Sequence, residues 1–256
     1  MLFRSSGNYG TVFKITPSGT LTTLYSFCSQ TNCADGEVPY AGLVQAADGD
    51  LYGTTVSGGT NTNGTVFKIT PTGTLTTLHS FNGTTDGATP AAGLVQAING
   101  DFYGTASSGA NNYGTVFKIT PSGTLTTLYR FCHQTHCPDG ATPYAGLVQD
   151  TNGDFYGTTS EGGSNNDGTV FRLSVGLGPF VKPRPPYGKV GAAVKILGTN
   201  LTGAASVSFN GTAAVFTVVS PSLITTTLPA GASSGKVQVI TPSGTLSSNE
   251  IGRAHV

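Results

Sequence analysis

The residues best suited to chemistry are four cysteines, set as Cys28/Cys33 and Cys132/Cys137. The two pairs have the same internal spacing and occupy equivalent places in two repeats. A third, intervening repeat lacks both cysteines, and its loop (82–86) is three residues shorter than 28–35 and 132–139. Joint loss of two thiols with loop length is what an intra-loop disulfide predicts. Closing so small a ring is worth roughly 2 kcal/mol in the chain-entropy model, and a disulfide implies an oxidising compartment. Metal binding by Cys132-His133-Gln134-Thr135-His136-Cys137 is the alternative, free thiols a third. The sister loop Cys28-Ser29-Gln30-Thr31-Asn32-Cys33 has no histidine.

Other candidates are weaker. Carboxylates in tight turns (Asp48, Asp50, Asp154) offer oxygens to calcium, but two per turn fall short of the six to eight that a calcium site needs. They read as hairpin turns, and so do Asp35-Gly36, Asp86-Gly87 and Asp139-Gly140. His79 takes the place of Tyr25 and Tyr129 and reads as a packing variant. No Gly-x-Ser-x-Gly elbow occurs. The carboxylates recur identically between repeats, whereas catalytic groups need unequal environments. The expectation is no enzyme, no catalytic residue, no metal and no cofactor.

Repetition dictates the elements that must carry these residues. Gly-Thr-Val-Phe recurs at Gly10, Gly64, Gly114 and Gly168, spaced 54, 50 and 54 residues apart. Ala-Gly-Leu-Val-Gln recurs at Ala41, Ala92 and Ala145, followed by a Gly-Asp turn and by Tyr52, Tyr103 and Tyr156. Each period reads as four short strands, for example 42–46, 51–56, 65–70 and 74–81. Asp-Gly and Asn-Gly mark one hairpin turn and Pro-x-Gly the next. Four antiparallel strands per period, in tandem, is the pattern of β-propeller blades; a β-solenoid ranks second. Residues 10–27 supply half a blade, 41–81 and 92–131 two full blades, and 145–173 three strands. These are too few for a ring, so an open arc is expected.

In an up-and-down blade, alternate connections share a rim. Two are tight and nearly invariant between copies. The others, 57–63, 107–113 and 160–167 with 28–39, 82–90 and 132–143, are long and varied. Variation on one rim of a rigid scaffold marks a recognition face, although plain solvated loops look the same. The candidate binding residues there are Asn61, Asn63, Asn111, Asn112, Tyr113, Asn165, Asn166 and Asp167.

Composition narrows the classes further. The 256 residues include 37 Gly and 40 Thr, only 12 basic and 12 acidic residues, and no Trp. Such a chain is poor in helix formers and rich in strand and turn residues. Zero net charge argues against a nucleic-acid partner. No apolar run is long enough for a membrane helix, and no leader pattern opens the chain. After residue 174 the repeat gives way to a Pro/Gly linker (175–186). A second pattern of short strands (190–197, 205–209, 213–219, 223–228, 235–241) then predicts a small sandwich. Both ends read as cut from a longer protein. Residues 250–256 can be spelled by codons resembling a sequencing-library adapter and are expected to be read-through. The sandwich would then stop at Asn249, before its last strand.

Gly-Leu-Val-Gln, Asp-Gly-Asp-Leu-Tyr-Gly-Thr-Thr and Gly-Thr-Val-Phe-Lys-Ile over residues 5–174 resemble the repeats of "choice-of-anchor tandem repeat GloVer-containing" proteins of environmental bacteria. The resemblance implies a secreted or surface-exposed repeat protein with no known catalytic residues. Residues 179–249 resemble an IPT/TIG immunoglobulin-like domain, through 191–201, 207–211, 229–232 and 239–244. Bacterial domains of that kind serve as spacers or adhesion modules, often beside carbohydrate-active domains. The combined expectation is all-β: a partial propeller arc, then an Ig-like sandwich. The expected role is non-enzymatic binding, display or adhesion outside the cell, with polysaccharide as partner. The alternatives are a fragment of a propeller enzyme acting on glycans, with its catalytic residues outside this chain, and a passive stalk.

Overall fold

The structure, a computed structural model, describes residues 7–109 and 112–255, and 249–255 by their backbone alone. Among the described residues the fold is all-β, with one 3-10 turn at Thr31–Cys33. No helix there is long and apolar enough to cross a membrane. The chain divides into two compact units, Met1–Val148 with Tyr156–Arg172, and Gln149–Phe155 with Leu173–Val256.

The repeats build thirteen strands in four antiparallel sheets. The first holds β1 (Thr11–Ile15) and β2 (Leu21–Ser26). The second is a meander of β3 (Val44–Gln45), β4 (Leu51–Thr55), β5 (Thr65–Ile69) and β6 (Leu75–Ser80). The third repeats it with β7 (Val95–Gln96), β8 (Phe102–Ala106), β9 (Thr115–Ile119) and β10 (Leu125–Arg130). The fourth holds β11 (Val148–Gln149), β12 (Phe155–Thr159) and β13 (Thr169–Leu173). This is the partial propeller arc. Its first strand per blade is only two residues long where the pattern predicts five, because only Val44 and Gln45 pair with β4.

Local chemistry explains the meander. In the first turn of the second blade Gly49 alone takes a left-handed φ, +90°. Asp48 stays in the ordinary region and instead accepts from the Asp50 amide (3.0 Å) and the Tyr52 hydroxyl (2.8 Å). The outermost hairpin carries a bulge in every blade that has one: Val66 faces His79 but Phe67 faces Thr77, so Leu78 is the extra residue. The bulge turns a carbonyl toward the neighbouring blade. A Cβ on Gly73 would lie 2.6 Å from the Leu24 carbonyl oxygen, and one on Gly123 2.7 Å from that of Leu78. Only glycine permits that approach.

Blade packs on blade through aromatic rings. Phe27 meets Phe67 edge-on at 5.1 Å, Phe81 meets Phe117 at 5.2 Å and Phe131 meets Phe171 at 5.0 Å. Tyr52 stacks on Phe102 at 4.0 Å. In the inner blades both strand faces are buried, with Val66, Phe67, Val116 and Phe117 fully shielded. Burying a phenylalanine is worth about 2–3 kcal/mol. In the first sheet the equivalent Phe13 is 56% exposed, and in the fourth Val170 is 79% exposed. The end sheets thus expose apolar side chains whose counterparts in the inner blades are buried.

The second unit contains a two-sheet sandwich. One sheet runs β14 (Lys182–Arg184), β16 (Ala193–Leu197), β20 (Leu223–Thr227), β19 (Phe216–Ser220). The other runs β15 (Tyr187–Lys189), β22 (Gly244–His255), β21 (Gly235–Thr241), β17 (Ser206–Phe209), β18 (Thr212–Ala214). Val194, Ile196, Leu201, Val207, Ile224, Val237 and Val239 form its core. Two features depart from the sequence expectation. Strand β14 lies inside the Pro-rich stretch, where Pro183 is tolerated because the strand is an edge. The last strand is present, since β22 continues through 250–255 and pairs parallel with β15, Tyr187 opposite Arg253.

Candidate functional site

The long loops gather on one rim because they bond to one another. Isolated bridges join Glu37 to Ser57, Ala88 to Ser108 and Ala141 to Glu161. The amides of Gly59 and Gly163 donate to the carbonyls of Cys33 and Cys137, both at 2.9 Å.

Each loop after a blade's last strand is anchored by a carboxylate. Asp35 is fully buried. It accepts from the Tyr25 hydroxyl (2.7 Å), the Ser29 amide (3.0 Å) and hydroxyl (2.9 Å), and the Gln30 amide (3.3 Å). Asp86 is buried and accepts from His79 Nε2 (2.8 Å) and the Asn82 amide (2.9 Å). Asp139 accepts from the Tyr129 hydroxyl (2.8 Å) and the Cys132 amide (3.0 Å). The Asp-Gly dipeptides are therefore more than turns, and His79 is more than a packing variant: its ring bonds the clamp carboxylate as the tyrosine hydroxyls do. The readable signal was the joint recurrence of an aromatic near the end of the strand and an aspartate in the loop.

The electrostatics follow from burial. Burial works against the charge of Asp35, but donors from Tyr25, Ser29 and Gln30 outweigh it and hold the carboxyl below its usual range. Burial, reinforced by the neighbouring Asp139, pushes the Tyr129 hydroxyl up to about 12. Burial also raises the Tyr25 hydroxyl.

Two loops are closed covalently, by Cys28–Cys33 and Cys132–Cys137. Glu37 lies beside the first pair, but both sulfurs there are bonded to each other and are not thiolate ligands. In the middle loop Asn82 stands where the siblings have their first cysteine. Its Oδ1 accepts from the amides of Thr84 and Thr85, both at 2.8 Å.

A third contact links consecutive blades. The amides of Val38, Thr89 and Thr142 donate to the carbonyls of Tyr9, Asn63 and Tyr113 in the preceding blade. Their own carbonyls accept from Val56, Ser107 and Ser160. All three β-branched residues hold a left-handed φ of 57° to 61°. Such strain costs about 1–3 kcal/mol and persists only where surrounding bonds enforce it.

The rim residues singled out in sequence divide into two groups. Some are tied into the scaffold. The Asn61 side-chain Nδ2 donates to the Phe81 carbonyl (3.3 Å), the Asn63 backbone carbonyl holds Thr89, and Asn166 Oδ1 accepts from the Gly162 amide (3.0 Å). Asn112, Tyr113, Asn165 and Asp167 are exposed at the loop tips. Asn111 lies outside the described residues. The result is a row of pinned loops offering hydroxyl and amide groups with little charge.

Comparison with known proteins adds two family matches. The model described as Gloeobacter/Verrucomicrobia repeat matches residues 1–212, and that of the IPT/TIG domain residues 182–251. Among curated proteins no sequence matches the chain. Solved structures similar to it include virginiamycin B lyase from Staphylococcus aureus, 15% identical, covering 88% of this chain and 72% of that one, with a TM-score of 0.35. A streptogramin B lyase structure is 15% identical, covering 97% of this chain and 81% of that one, with a TM-score of 0.39. Likeness of that degree carries no statement about chemistry.

Proposed function

The chain belongs to the Gloeobacter/Verrucomicrobia repeat family, and from that premise we propose that it is a non-enzymatic binding and display module working outside the cell on polysaccharide. One observation carries the reading. The loops of one rim change in length and side chains from repeat to repeat, while both their ends are fixed by the same contacts. Ordering a loop before the ligand arrives lowers the entropic cost of binding. Asn, Ser, Thr and Tyr at such tips offer donors and acceptors that match sugar hydroxyls. The two disulfides suit an oxidising, extracellular setting, and the IPT/TIG domain suits a spacer or adhesion part beside the repeats.

The test is retention of the full chain on a panel of immobilised neutral and acidic polysaccharides. Retention of at least one polymer is expected, weakened when the exposed tips Asn112, Tyr113, Asn165 and Asp167 are replaced by Ala and Gly. No retention on any polymer would overturn the reading.

A further inference from the structure

The repeats are not equivalent at their outer strands. In the third blade a shallow, open groove of about 250 Å³ is lined by Thr127, Leu128, Tyr129, Arg130 and His133. The place of Arg130 is held by Ser26 and Ser80 in the other blades, and that of His133 by Ser29 in the first. Two neutral hydroxyls have thus been exchanged for two groups able to bear positive charge, at one spot.

Arg130 is held but not neutralised. Its Nη2 donates to the Thr85 carbonyl (2.9 Å), which Thr127 Oγ1 also reaches (3.1 Å). That spends one of the five N–H donors of a guanidinium. The ion pairs Lys68–Asp50 and Lys118–Asp101 lie at the tight turns of the blades, and no acidic side chain pairs with Arg130 among the described residues. His133 stands on the loop closed by Cys132–Cys137, its ring 6.0 Å from that of Tyr129. Of the Asp139 clamp carboxylate, Oδ2 is bound by the Tyr129 hydroxyl and the Cys132 amide, while Oδ1 is buried with no hydrogen-bond partner among the described residues. A guanidinium fixed on a neutral, hydroxyl-bearing strand, with an imidazole lining the same groove, is suited to a carboxylate attached to a hydroxyl-rich body.

We propose that this groove is a subsite for carboxylate-bearing polysaccharide, a chain of uronate residues, with Arg130 gripping the carboxylate and His133 supporting it. The proposal rests on the polysaccharide reading above and narrows it.

Affinity gel electrophoresis of the full chain with polygalacturonate and, separately, with dextran tests it. Polygalacturonate should retard the protein more than dextran does. Arg130→Ser should weaken polygalacturonate binding about tenfold, the loss of a charge-assisted hydrogen-bonded pair. Arg130→Lys should keep an intermediate affinity, because charge survives and the planar fork does not. His133→Ser should weaken binding by a smaller factor, with dextran retardation unchanged throughout. Should Arg130→Ser shift the urea midpoint, His133→Ser, which lies outside the strand, carries the test. Equal retardation by both polymers overturns the subsite and leaves the polysaccharide reading standing. So does undiminished polygalacturonate binding by a folded Arg130→Ser or His133→Ser protein. Retardation by neither polymer overturns the subsite, and only silence across the whole panel above overturns the polysaccharide reading.

Discussion

The loop of the middle repeat and its two siblings solve one problem by different means. All three leave a blade's last strand after a buried phenylalanine and end on a carboxylate clamp. The first and third close the intervening turn with a disulfide, and the tyrosine of the strand bonds the clamp. The second closes it with Asn82 and two threonine amides, and His79 bonds the clamp. What stays constant is the carboxylate. What varies is the reinforcement, covalent where the loop is longer and hydrogen-bonded where it is short. The clamp is therefore the structural requirement, and the disulfide an addition that scales with loop length.

The largest effect should come from the shared part. Asp35→Ala and Asp86→Ala should each cost about 3 kcal/mol in urea denaturation, because several buried donors lose their acceptor. A much smaller cost for Asp35 than for Asp86 would break the comparison, showing that a disulfide can stand in for the clamp. Next comes reduction. Dithiothreitol should loosen 28–36 and 132–140 by roughly 2 kcal/mol each in amide hydrogen exchange and leave 82–87 unchanged. Equal loosening of all three loops would mean that the cross-links act on the whole arc. Replacing Asn82 by Ala should cost about 1 kcal/mol, confined to 82–87 by the same measurement.

The last effect appears only at alkaline pH. The Tyr129 hydroxyl titrates higher in the folded state than its ordinary 10.0, at about 12. Its contribution to stability is complete below pH 10 and is lost as pH rises to about 12. Tyr25 is raised as well, whereas the middle clamp has an imidazole instead of a phenol. Alkaline exchange should therefore rise in the first and third loops before the second. Simultaneous loosening would blur the distinction.

The strands and turns were legible because repetition displays them: a side chain that recurs at fixed spacing faces the same neighbour each time. The thirteen strands of the arc and the cysteine pairing follow from that. The clamp was hidden because Asp-Gly already satisfies a turn reading, which gives no reason to look for a partner on the strand. The link at Val38, Thr89 and Thr142 was hidden for the opposite reason. Each is a β-branched residue before proline, a position that ordinarily avoids left-handed backbone, so local preference pointed away from the observed φ. Strand β14 was masked by prolines that usually mark a linker but here occupy a sheet edge. At the candidate rim, exposure of Asn112 and Asn165 was readable from loop position. The use of Asn61 and Asn166 as internal ties was not, since an amide's partner depends on the folded loop.

The fixed ends of these loops also define an exchangeable cassette. In the arc, a segment entering after Phe27, Phe81 or Phe131 and leaving through Asp35, Asp86 or Asp139 has already been installed at two lengths on one frame. A foreign segment grafted between the same two anchors, with an aromatic donor kept on the strand, would inherit their geometry. The repeat thus offers a scaffold in which several loops can be diversified independently and presented side by side.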